Sequence, residues 1–343
     1  MTYPALNTSK LESQVFIRQL TAKDEEEFIK LLYKVYGNSY SYTFLYESGG
    51  LSTLIHSNKI TSYGEFDLEG RLLAHTAFWH KEKNGDYVES GCSFRVSGGI
   101  KKLKSTVTPK AWHNALQQLA TQYHFVHQHN STLHLLAQRY ATRLMNAKYC
   151  GLILGYAENE AVKGVKHQTN KMHALLMTTV LQPQHVEKKI FIPALFKPWL
   201  ENIYQNLGLP RIIHSVYLYS QERLPFHLKN MEINPYIGLQ RRLVQKNIHS
   251  SEFHCPPSTL RTDLIHLPLE DPELVHVIFP ILIQSGYIPC GVRPHTHQSD
   301  ELIFQNVIKY KQILMHLPAE VKIANASTLK EVEQWQKLVL QIM

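Results

Sequence analysis

Residues 84–112 read NGDYVESGCSFRVSGGIKKLKSTVTPKAW and hold a turn dipeptide, a glycine pair, a group of lysines and a helix start. The Asn84-Gly85 dipeptide stands between two apolar-rich runs, which is a strong signal for a β-hairpin. Thr108 is a favourable N-cap and Pro109 suits the first helical position, so a helix is predicted to begin there. Its buried face would consist of Trp112, Ala115, Leu116, Leu119 and Tyr123.

The segments on either side complete one α/β pattern. Residues 14–20 predict a strand, and a capping box at Thr21 and Asp24 predicts a helix that ends near Gly37. The order β-α-β-β-β-α-β-α-β then indicates a mixed α/β architecture with one central sheet. The remaining predicted elements are three antiparallel strands between 60 and 95, a strand near 125–128, a helix over 132–147 and a strand over 150–156.

A second unit is predicted to begin after Gln182-Pro183. Residues 144–156 (LMNAKYCGLILGY) and 281–293 (ILIQSGYIPCGVR) both place tyrosine and glycine after a helix rich in leucine and isoleucine. This weak internal repeat argues for duplication of one domain. We therefore predict two domains, residues 12–182 and 183–343, each a central mixed sheet flanked by helices, with the second non-catalytic. Elements predicted in the second are helices over 196–207 and 272–285, strands over 263–267 and 287–292, and a last helix opened by Thr328 and Glu331.

Length and composition agree with this division. The chain has 343 residues, of which 44% are hydrophobic and 19% charged, typical of globular proteins with sizeable cores. Its apolar runs are too short to cross a bilayer, and Met1-Thr2-Tyr3-Pro4 does not resemble the start of a secretory signal. The four cysteines are widely spaced without a CxxC pair, which favours reduced thiols and a cytoplasmic location, with signal-free export to a host left open: Cys92, Cys150, Cys255 and Cys290.

The formal net charge of +8 favours anionic partners. Nucleic acid is an unfavourable choice, because the positive charges are dispersed and no nucleic-acid-binding motif is present. Four histidines stand close together in the sequence, but alternation along a strand would divide them between two faces, so we expect no metal site and a role in lining an open cleft: His124, His127, His129 and His134.

Several segments resemble the GNAT superfamily of acyl-CoA-dependent N-acyltransferases, and the whole chain looks like a bacterial group with two GNAT-type domains in tandem. The resemblance extends over about residues 14–310. It is carried by FIRQLTAKDEEEFIKLLYKVYGNSYSYTFLY, LEGRLLAHTAFW, HLLAQRYA, FIPALFKPWLENIYQNLGLPR and IHLPLEDPELVHVIFPILIQSGYIPCGVRP with DELIFQ.

The resemblance implies a CoA-binding loop after the fourth strand. Residues 95–100, RVSGGI, resemble the family's Arg/Gln-x-x-Gly-x-Gly/Ala pattern, with Ile100 where glycine or alanine is expected. Backbone N–H groups and a helix N-terminus in such a loop bind the CoA pyrophosphate. An ordinary glycine turn is the alternative for Gly98-Gly99. The implied cofactor-binding residues are Ser93, Phe94, Arg95, Gly98, Gly99, Lys101, His134 and Gln138.

Acyl transfer requires a base for the amine and an acid for the departing thiolate. The resemblance implies Glu89 as the base, with His75 on the neighbouring strand as a second candidate. The family's acidic tyrosine has Met145 at its position, and Tyr140, about one turn earlier, would replace it. The aromatic residues between Tyr36 and Tyr46 would line a substrate pocket or pack a loop over the core.

These features predict an N-acyltransferase that moves an acetyl or longer acyl group from acyl-CoA to an unknown amine by direct attack, without a metal. A homodimer is compatible with this function. The alternative is a GNAT-fold binding or regulatory protein that has lost turnover.

Overall fold

The computed structural model of the chain describes residues 15–81, 85–96, 115–133, 135–158, 171–218, 226–246, 260–317 and 321–343. Its strands are β1 (Phe16–Gln19), β2 (Ile60–Phe66), β3 (Leu72–His80), β4 (Tyr87–Arg95), β5 (Phe125–Ser131), β6 (Lys148–Glu158), β7 (Lys171–Val180), β8 (Lys188–Pro193), β9 (Arg211–Val216), β10 (Phe226–Asn234), β11 (Leu239–Lys246), β12 (Thr262–Pro268), β13 (Tyr287–Arg293) and β14 (Glu301–Asn306). Its helices are α1 (Glu25–Tyr36), α2 (Gly50–His56), α3 (residues 115–120), α4 (Leu136–Leu144), α5 (Lys197–Leu207), α6 (Pro272–Gln284), α7 (Lys311–Met315) and α8 (Ala326–Ile342).

Twelve of the strands form a single sheet in the order β1-β2-β3-β4-β5-β7-β6-β13-β14-β12-β11-β10, while β8 and β9 pair separately in parallel. The run β3-β4-β5-β7-β6 is mirrored by β10-β11-β12-β14-β13. In each run one parallel pair, β4–β5 or β11–β12, interrupts antiparallel neighbours. The predicted fold class, two similar mixed α/β units in tandem, is confirmed, whereas the boundary at residues 182 and 183 stays a prediction.

Helix α1 shows how local sequence sets an element. Asp24 accepts hydrogen bonds from the backbone N and Oγ1 of Thr21 at 2.8 and 3.0 Å, as the capping box predicts. A single 3₁₀ turn precedes the α-helix, which ends at Gly37 with φ of +63°. The apolar residues at helical spacing are all buried: Phe28, Leu31, Leu32 and Val35.

Helices cover both faces of the first half's sheet. On the face called here the α1 face, Ala77, Cys92 and Phe94 pack against α1 and α2. On the opposite face, the α3 face, Phe78 and Val88 pack against α3. Side chains on β4 therefore alternate between two separate apolar layers. None of the helices within the described residues has the length and apolar character needed to span a membrane.

Two sequence-based predictions need correction, and strand β7 has no counterpart among them. The pattern of residues 173–179 gives no strand signal, because all of them are apolar or buried and lack the alternation of a half-exposed strand. The helix predicted over 132–147 is shorter and spans Leu136–Leu144. The last helix begins at Ala326, since Asn325 caps the backbone N–H groups of Ser327 and Thr328. The start of the helix predicted at Thr108 lies outside the described residues.

The two halves meet where β6 pairs with β13, and the pair is centred on Gly151 and Gly291. Each glycine follows a cysteine at a bulge, Cys150 in β6 and Cys290 in β13. Both thiols are buried, and burial raises the pKa of Cys150 to about 12. The repeated Cys-Gly dipeptide thus marks equivalent positions in the two halves. These bulges allow the two backbones to approach closely.

We expect Gly151→Ala to lower the free energy of unfolding by about 3 kcal/mol, because overpacking against a fixed backbone cannot be relieved by a rotamer change. A Cβ at Gly151 would collide with the Cys290 carbonyl and the Gly291 Cα. Gly291→Ala is the matched comparison, since its Cβ would stay 3.1 Å from the Cys150 carbonyl oxygen and would meet mainly the mobile end of Leu176. Urea unfolding of both variants measures the difference in unfolding free energy. Equal losses would contradict the close backbone contact at Gly151.

Candidate functional site

The candidate site lies where β4 and β5 separate. The two parallel strands pair from Tyr87 and Phe125 to Ser90 and Gln128. Beyond Ser90, β4 continues against β3 alone, and residues 129–131 of β5 continue against β7 alone. Residues 91–95 therefore do not pair with residues 129–131, and we call the gap between these two strand ends the crevice.

A bulge in β4 borders the crevice. Ala77 of β3 pairs with Gly91 and His75 pairs with Phe94, so Cys92 and Ser93 together face one residue of β3. Cys92 has φ of +50°, a left-handed conformation that is uncommon outside glycine. Such conformations persist only when the surroundings impose them, and they are concentrated at functional sites. The Ser93 hydroxyl contacts the hydroxyl of Thr76 on β3.

The predicted cofactor residues at the end of β4 have different surroundings. Phe94 packs on the α1 face, with its ring 5.7 Å from that of Phe28. Arg95 makes two hydrogen bonds to the buried Glu65 carboxylate at 2.7 and 2.8 Å. Arg95 is thereby held at the mouth of the crevice by a bidentate pair. Four other predicted cofactor residues lie outside the described residues: Gly98, Gly99, Lys101 and His134.

Gln138 on α4 binds other parts of the chain. Its Nε2 donates to the carbonyl oxygens of Ser131 at 2.9 Å and Lys322 at 2.7 Å, and its Oε1 accepts from the backbone N of Ala324 at 2.8 Å. These bonds tie the end of β5 to the segment before α8. A role in cofactor binding, which stays a prediction, would require some of these bonds to break.

Glu89, the predicted base, is buried within a charge cluster that the second half completes. Its Oε1 accepts from Arg241 Nη1 at 2.5 Å and from Arg293 Nη2 at 3.1 Å, and its Oε2 lies 3.3 Å from Lys81 Nζ. Glu232 extends the cluster through Arg241 and Lys81, both at 2.9 Å. We call these five residues the buried charge cluster.

The cluster keeps Glu89 ionised. Burial alone would raise the pKa of its carboxyl, but the positive charges of Arg241 and Lys81 hold that pKa well below its usual range. A carboxylate with so low a pKa is a weak proton acceptor at neutral pH. Its assignment as the base stays a prediction, to which these surroundings are unfavourable.

His75, the second candidate base, is enclosed on the α1 face. Its Nδ1 lies 2.8 Å from the Cys92 carbonyl oxygen and its Nε2 lies 2.9 Å from Ser62 Oγ. Burial lowers the pKa of His75 to about 4, so the ring is neutral at pH 7. Both ring nitrogens are therefore occupied, and the imidazole holds the bulge at Cys92 in place.

Tyr140, the predicted acid, lies on α4 and packs with the apolar layer of the α3 face. Burial and the negative charge of Glu65 raise the pKa of its hydroxyl well above the ordinary value, and Arg95 opposes them. Tyr140 is therefore close enough to the Glu65–Arg95 pair to feel the charge of both residues. Met145 follows α4, and its sulfur accepts a hydrogen bond from Gln128 Nε2 at 3.1 Å.

The histidines of β5 divide as strand alternation predicts. His127 and His129 share a face: His127 Nδ1 lies 2.9 Å from Thr178 Oγ1, and His129 stacks on Tyr156 with ring centres 4.8 Å apart. His129 Nε2 also lies 3.2 Å from Arg241 Nη2. His124 lies apart from them, beside Asp86. His127 and His129 therefore lie on the face of the sheet that carries the buried charge cluster.

The aromatic residues between Tyr36 and Tyr46 pack over the core. Tyr36 and Tyr40 contact Phe94, while Tyr42 stacks on Trp79 at 5.9 Å. Of the two predictions left open, the packing loop fits these contacts better than the substrate pocket does. Tyr236 of the second half joins this group through Tyr42 and Phe44.

Sequence reasoning missed the second half's contribution. Arg241 and Arg293 are buried, yet they bind Glu89 across sequence separations of 152 and 204 residues. Glu301 nearby accepts from His266 Nδ1 at 2.7 Å. A signal for this contribution was present in the sequence, because arginine and histidine stand within otherwise apolar strands. Charged residues are seldom buried without partners, so such residues predict a buried ion pair.

No family profile and no curated protein matches this sequence. Solved structures with a similar fold include the spermidine/spermine N-acetyltransferase SpeG from Vibrio cholerae, with 13% identity and a TM-score of 0.36 over 49% of this chain and 94% of that one. The ribosomal-protein-S5-alanine acetyltransferase from Vibrio fischeri has 9% identity and a TM-score of 0.37 over 49% of this chain and 93% of that one. An acetyltransferase of the GNAT family from Streptococcus pneumoniae has 12% identity and a TM-score of 0.37 over 49% of this chain and 99% of that one. These likenesses cover about half of this chain, and with TM-scores below 0.5 and identities this low they carry no conclusion about its activity.

Proposed function

We propose that the N-terminal half transfers an acyl group from an acyl-CoA to an amine by direct attack, with the thioester bound in the crevice. The observation that carries this proposal is the separation of parallel β4 and β5 beyond Ser90 and Gln128, beside a bulge with φ of +50° at Cys92. Separated strands leave backbone donors and acceptors without a strand partner, and such groups must bind something else. A thioester carbonyl and an amide-rich pantetheine arm are ligands of suitable chemistry.

The pyrophosphate would bind beyond the end of β4. Arg95 closes that strand, and the sequence continues with the Gly98-Gly99 pair and the lysines at 101, 102 and 104. Glycines allow close approach of backbone N–H groups to an anion, and lysines add positive charge. This segment lies outside the described residues, so its part in the proposal rests on sequence alone.

The proton transfers are constrained by the surroundings of the candidate residues. Glu89 is occupied by two arginines and His75 by two hydrogen bonds, so neither is poised to accept the amine's proton. The amine would then react in its neutral form after losing a proton to solvent. As the amine attacks the thioester carbonyl, the C–N bond forms and the C–S bond breaks, and the amine nitrogen releases a proton to solvent. Tyr140, whose raised pKa keeps it protonated but makes it a weak acid, would give its proton to the departing thiolate and regain one from solvent. We therefore expect the transfer rate to rise with pH as the acceptor amine deprotonates.

Acetyl-CoA is expected to raise the melting temperature by about 5 °C at concentrations about 100-fold above its Kd, because a ligand of the folded state alone stabilises it. Gly98→Trp is expected to abolish the rise, whereas Ser57→Trp at the exposed end of α2 adds the same bulk and keeps it. The absence of a rise with wild-type protein at millimolar acetyl-CoA would exclude the proposed function. An undiminished rise in Gly98→Trp would exclude the loop assignment.

The second candidate function is that of a GNAT-fold regulatory protein that binds CoA without turnover. One observation favours it: the two candidate bases, Glu89 and His75, are both bonded to other groups of the protein. Thiol release from acetyl-CoA, followed by a thiol reagent over a panel of amines, separates the two. Release that depends on an amine supports the transferase, and binding without release supports the regulatory protein.

A further inference from the structure

Two histidines and an aspartate converge at the end of the β4–β5 pair opposite the crevice. Asp86 immediately precedes β4, His124 immediately precedes β5, and His297 lies in the connection after β13. One ligand atom from each lies within 4.8 Å of those of the other two. Residues from both halves of the chain therefore meet at one point, which we call the Asp86 site.

The distances at the Asp86 site are unlike those of hydrogen bonds. Asp86 Oδ1 lies 3.7 Å from His124 Nδ1 and 3.8 Å from His297 Nε2, beyond hydrogen-bond range. Two imidazole nitrogens thus flank one carboxylate oxygen without bonding to it. Ligands at about 2.0–2.2 Å from a tetrahedral ion are about 3.3–3.6 Å apart. The two distances from Asp86 are within about 0.5 Å of that spacing, and all three ligand atoms lie within 4.8 Å of one another.

Hydrogen bonds behind the carboxylate fix its direction. Asp86 Oδ2 accepts from the backbone N of Thr296 at 2.9 Å and of His297 at 2.8 Å. The backbone carbonyl of Asp86 accepts from the N of His124 at 2.8 Å. The outer partners hold Oδ1 toward the imidazoles, which is the arrangement that orients ligands in metal sites.

Exposure differs among the three side chains in a way that suits a bound ion. The Asp86 side chain is 3% exposed, that of His124 22% and that of His297 74%. The buried carboxylate supplies negative charge, while the exposed imidazole leaves a path for an ion and room for water ligands.

We propose that Asp86, His124 and His297 bind a divalent cation of the Zn²⁺ type, with solvent completing the coordination. Two imidazoles and one carboxylate favour Zn²⁺ and similar transition metals, whereas Mg²⁺ and Ca²⁺ prefer all-oxygen ligands. The ion clamps the connection after β13 to the starts of β4 and β5. Because it lies at the end away from the crevice, the clamp is structural and independent of the proposed acyl transfer. This inference departs from the prediction of no metal made from the sequence.

The test uses full-length protein stripped of metal with a chelator. Titration with ZnCl₂ is expected to raise the melting temperature by about 5 °C at about 100-fold excess over the Kd, and MgCl₂ is expected to leave it unchanged. Co²⁺ serves as a spectroscopic probe, because its visible absorption reports nitrogen and oxygen ligands directly.

His297→Ala is the decisive variant, since its exposed side chain can be removed without disturbing the core, and the backbone N–H bound to Asp86 remains. His56→Ala, at another exposed position at the end of α2, is the matched control for the many other histidines of the chain. We expect His297→Ala to lose the Zn²⁺-dependent rise and the Co²⁺ absorption, and His56→Ala to keep both. An equal response in His297→Ala, an equal response to Mg²⁺, or no response of wild-type protein to Zn²⁺ would each overturn the proposal.

Discussion

Glu89→Gln is expected to lower the free energy of unfolding by about 3–5 kcal/mol, the usual effect of removing one partner from a buried ion pair. The variant keeps the size of the side chain but removes its charge. Arg241 and Arg293, each bonded to the Glu89 carboxylate and each buried, would then both lose a negative partner, and Arg241 would keep only Glu232 among the described carboxylates. Urea unfolding followed by circular dichroism measures the loss.

The control for this variant is Glu69→Gln. Glu69 pairs with Arg71 at the surface, where its side chain is 67% exposed, so its loss is expected to cost less than about 1 kcal/mol. A double-mutant cycle with Arg241→Gln is expected to show coupling of at least about 1 kcal/mol between positions 89 and 241. Additive single effects would show that the two residues do not stabilise one another.

The same variant distinguishes the two roles considered for Glu89. If Glu89 holds the halves together, Glu89→Gln reduces stability first, and any acyl transfer falls in proportion to the folded fraction. If Glu89 is also the base, the folded Glu89→Gln protein loses acyl transfer altogether, beyond the loss expected from its folded fraction. The arginines around it favour the first result.

Acid is expected to destabilise the protein well above the range in which carboxylates titrate. Burial lowers the pKa of His75 to about 4, against an ordinary value of 6.5. The unfolded chain therefore binds the proton more readily, so the stability due to the neutral ring is present above pH 6.5 and is lost as pH falls toward 4. Between pH 7 and pH 5, His75 alone accounts for about 2 kcal/mol. Three further histidines, two of them buried and His129 partly buried, add losses in the same direction, because loss of solvent also lowers their pKa values: His127, His129 and His266.

Unfolding by urea at pH 7 and pH 5 tests this expectation. His75→Gln is expected to reduce the difference between the two pH values by about 2 kcal/mol, even though it also weakens the fold at pH 7. His56→Gln, at an exposed position, is expected to leave the difference unchanged. A pH dependence in His75→Gln equal to that of wild type would show that His75 does not remain neutral in the folded chain.

Local features of this protein could be predicted from its sequence because their causes are local. Thr21 and Asp24 are three residues apart and form the predicted capping box, and the buried residues of α1 recur at helical spacing. The similarity of residues 144–156 and 281–293 likewise identified two related units. In the fold these segments supply the adjacent strands β6 and β13. For the site, the sequence placed Glu89 and Ser93–Arg95 on β4, the strand that borders the crevice.

Tertiary structure alone decided which side chains those residues meet. From the sequence, Glu89 could be an exposed strand carboxylate or a base, but the continuous sheet formed by both halves brings Arg241 and Arg293 onto it from more than 150 residues away. Gln138 is bonded to Lys322 and Ala324, and Asp86 lies between His124 and His297, for the same reason. The physical cause is that hydrogen-bonding pattern and apolar spacing act over a few residues. The partner of a buried charge depends on how distant strands curve and pair, which cannot be inferred from patterns of that length in a single sequence.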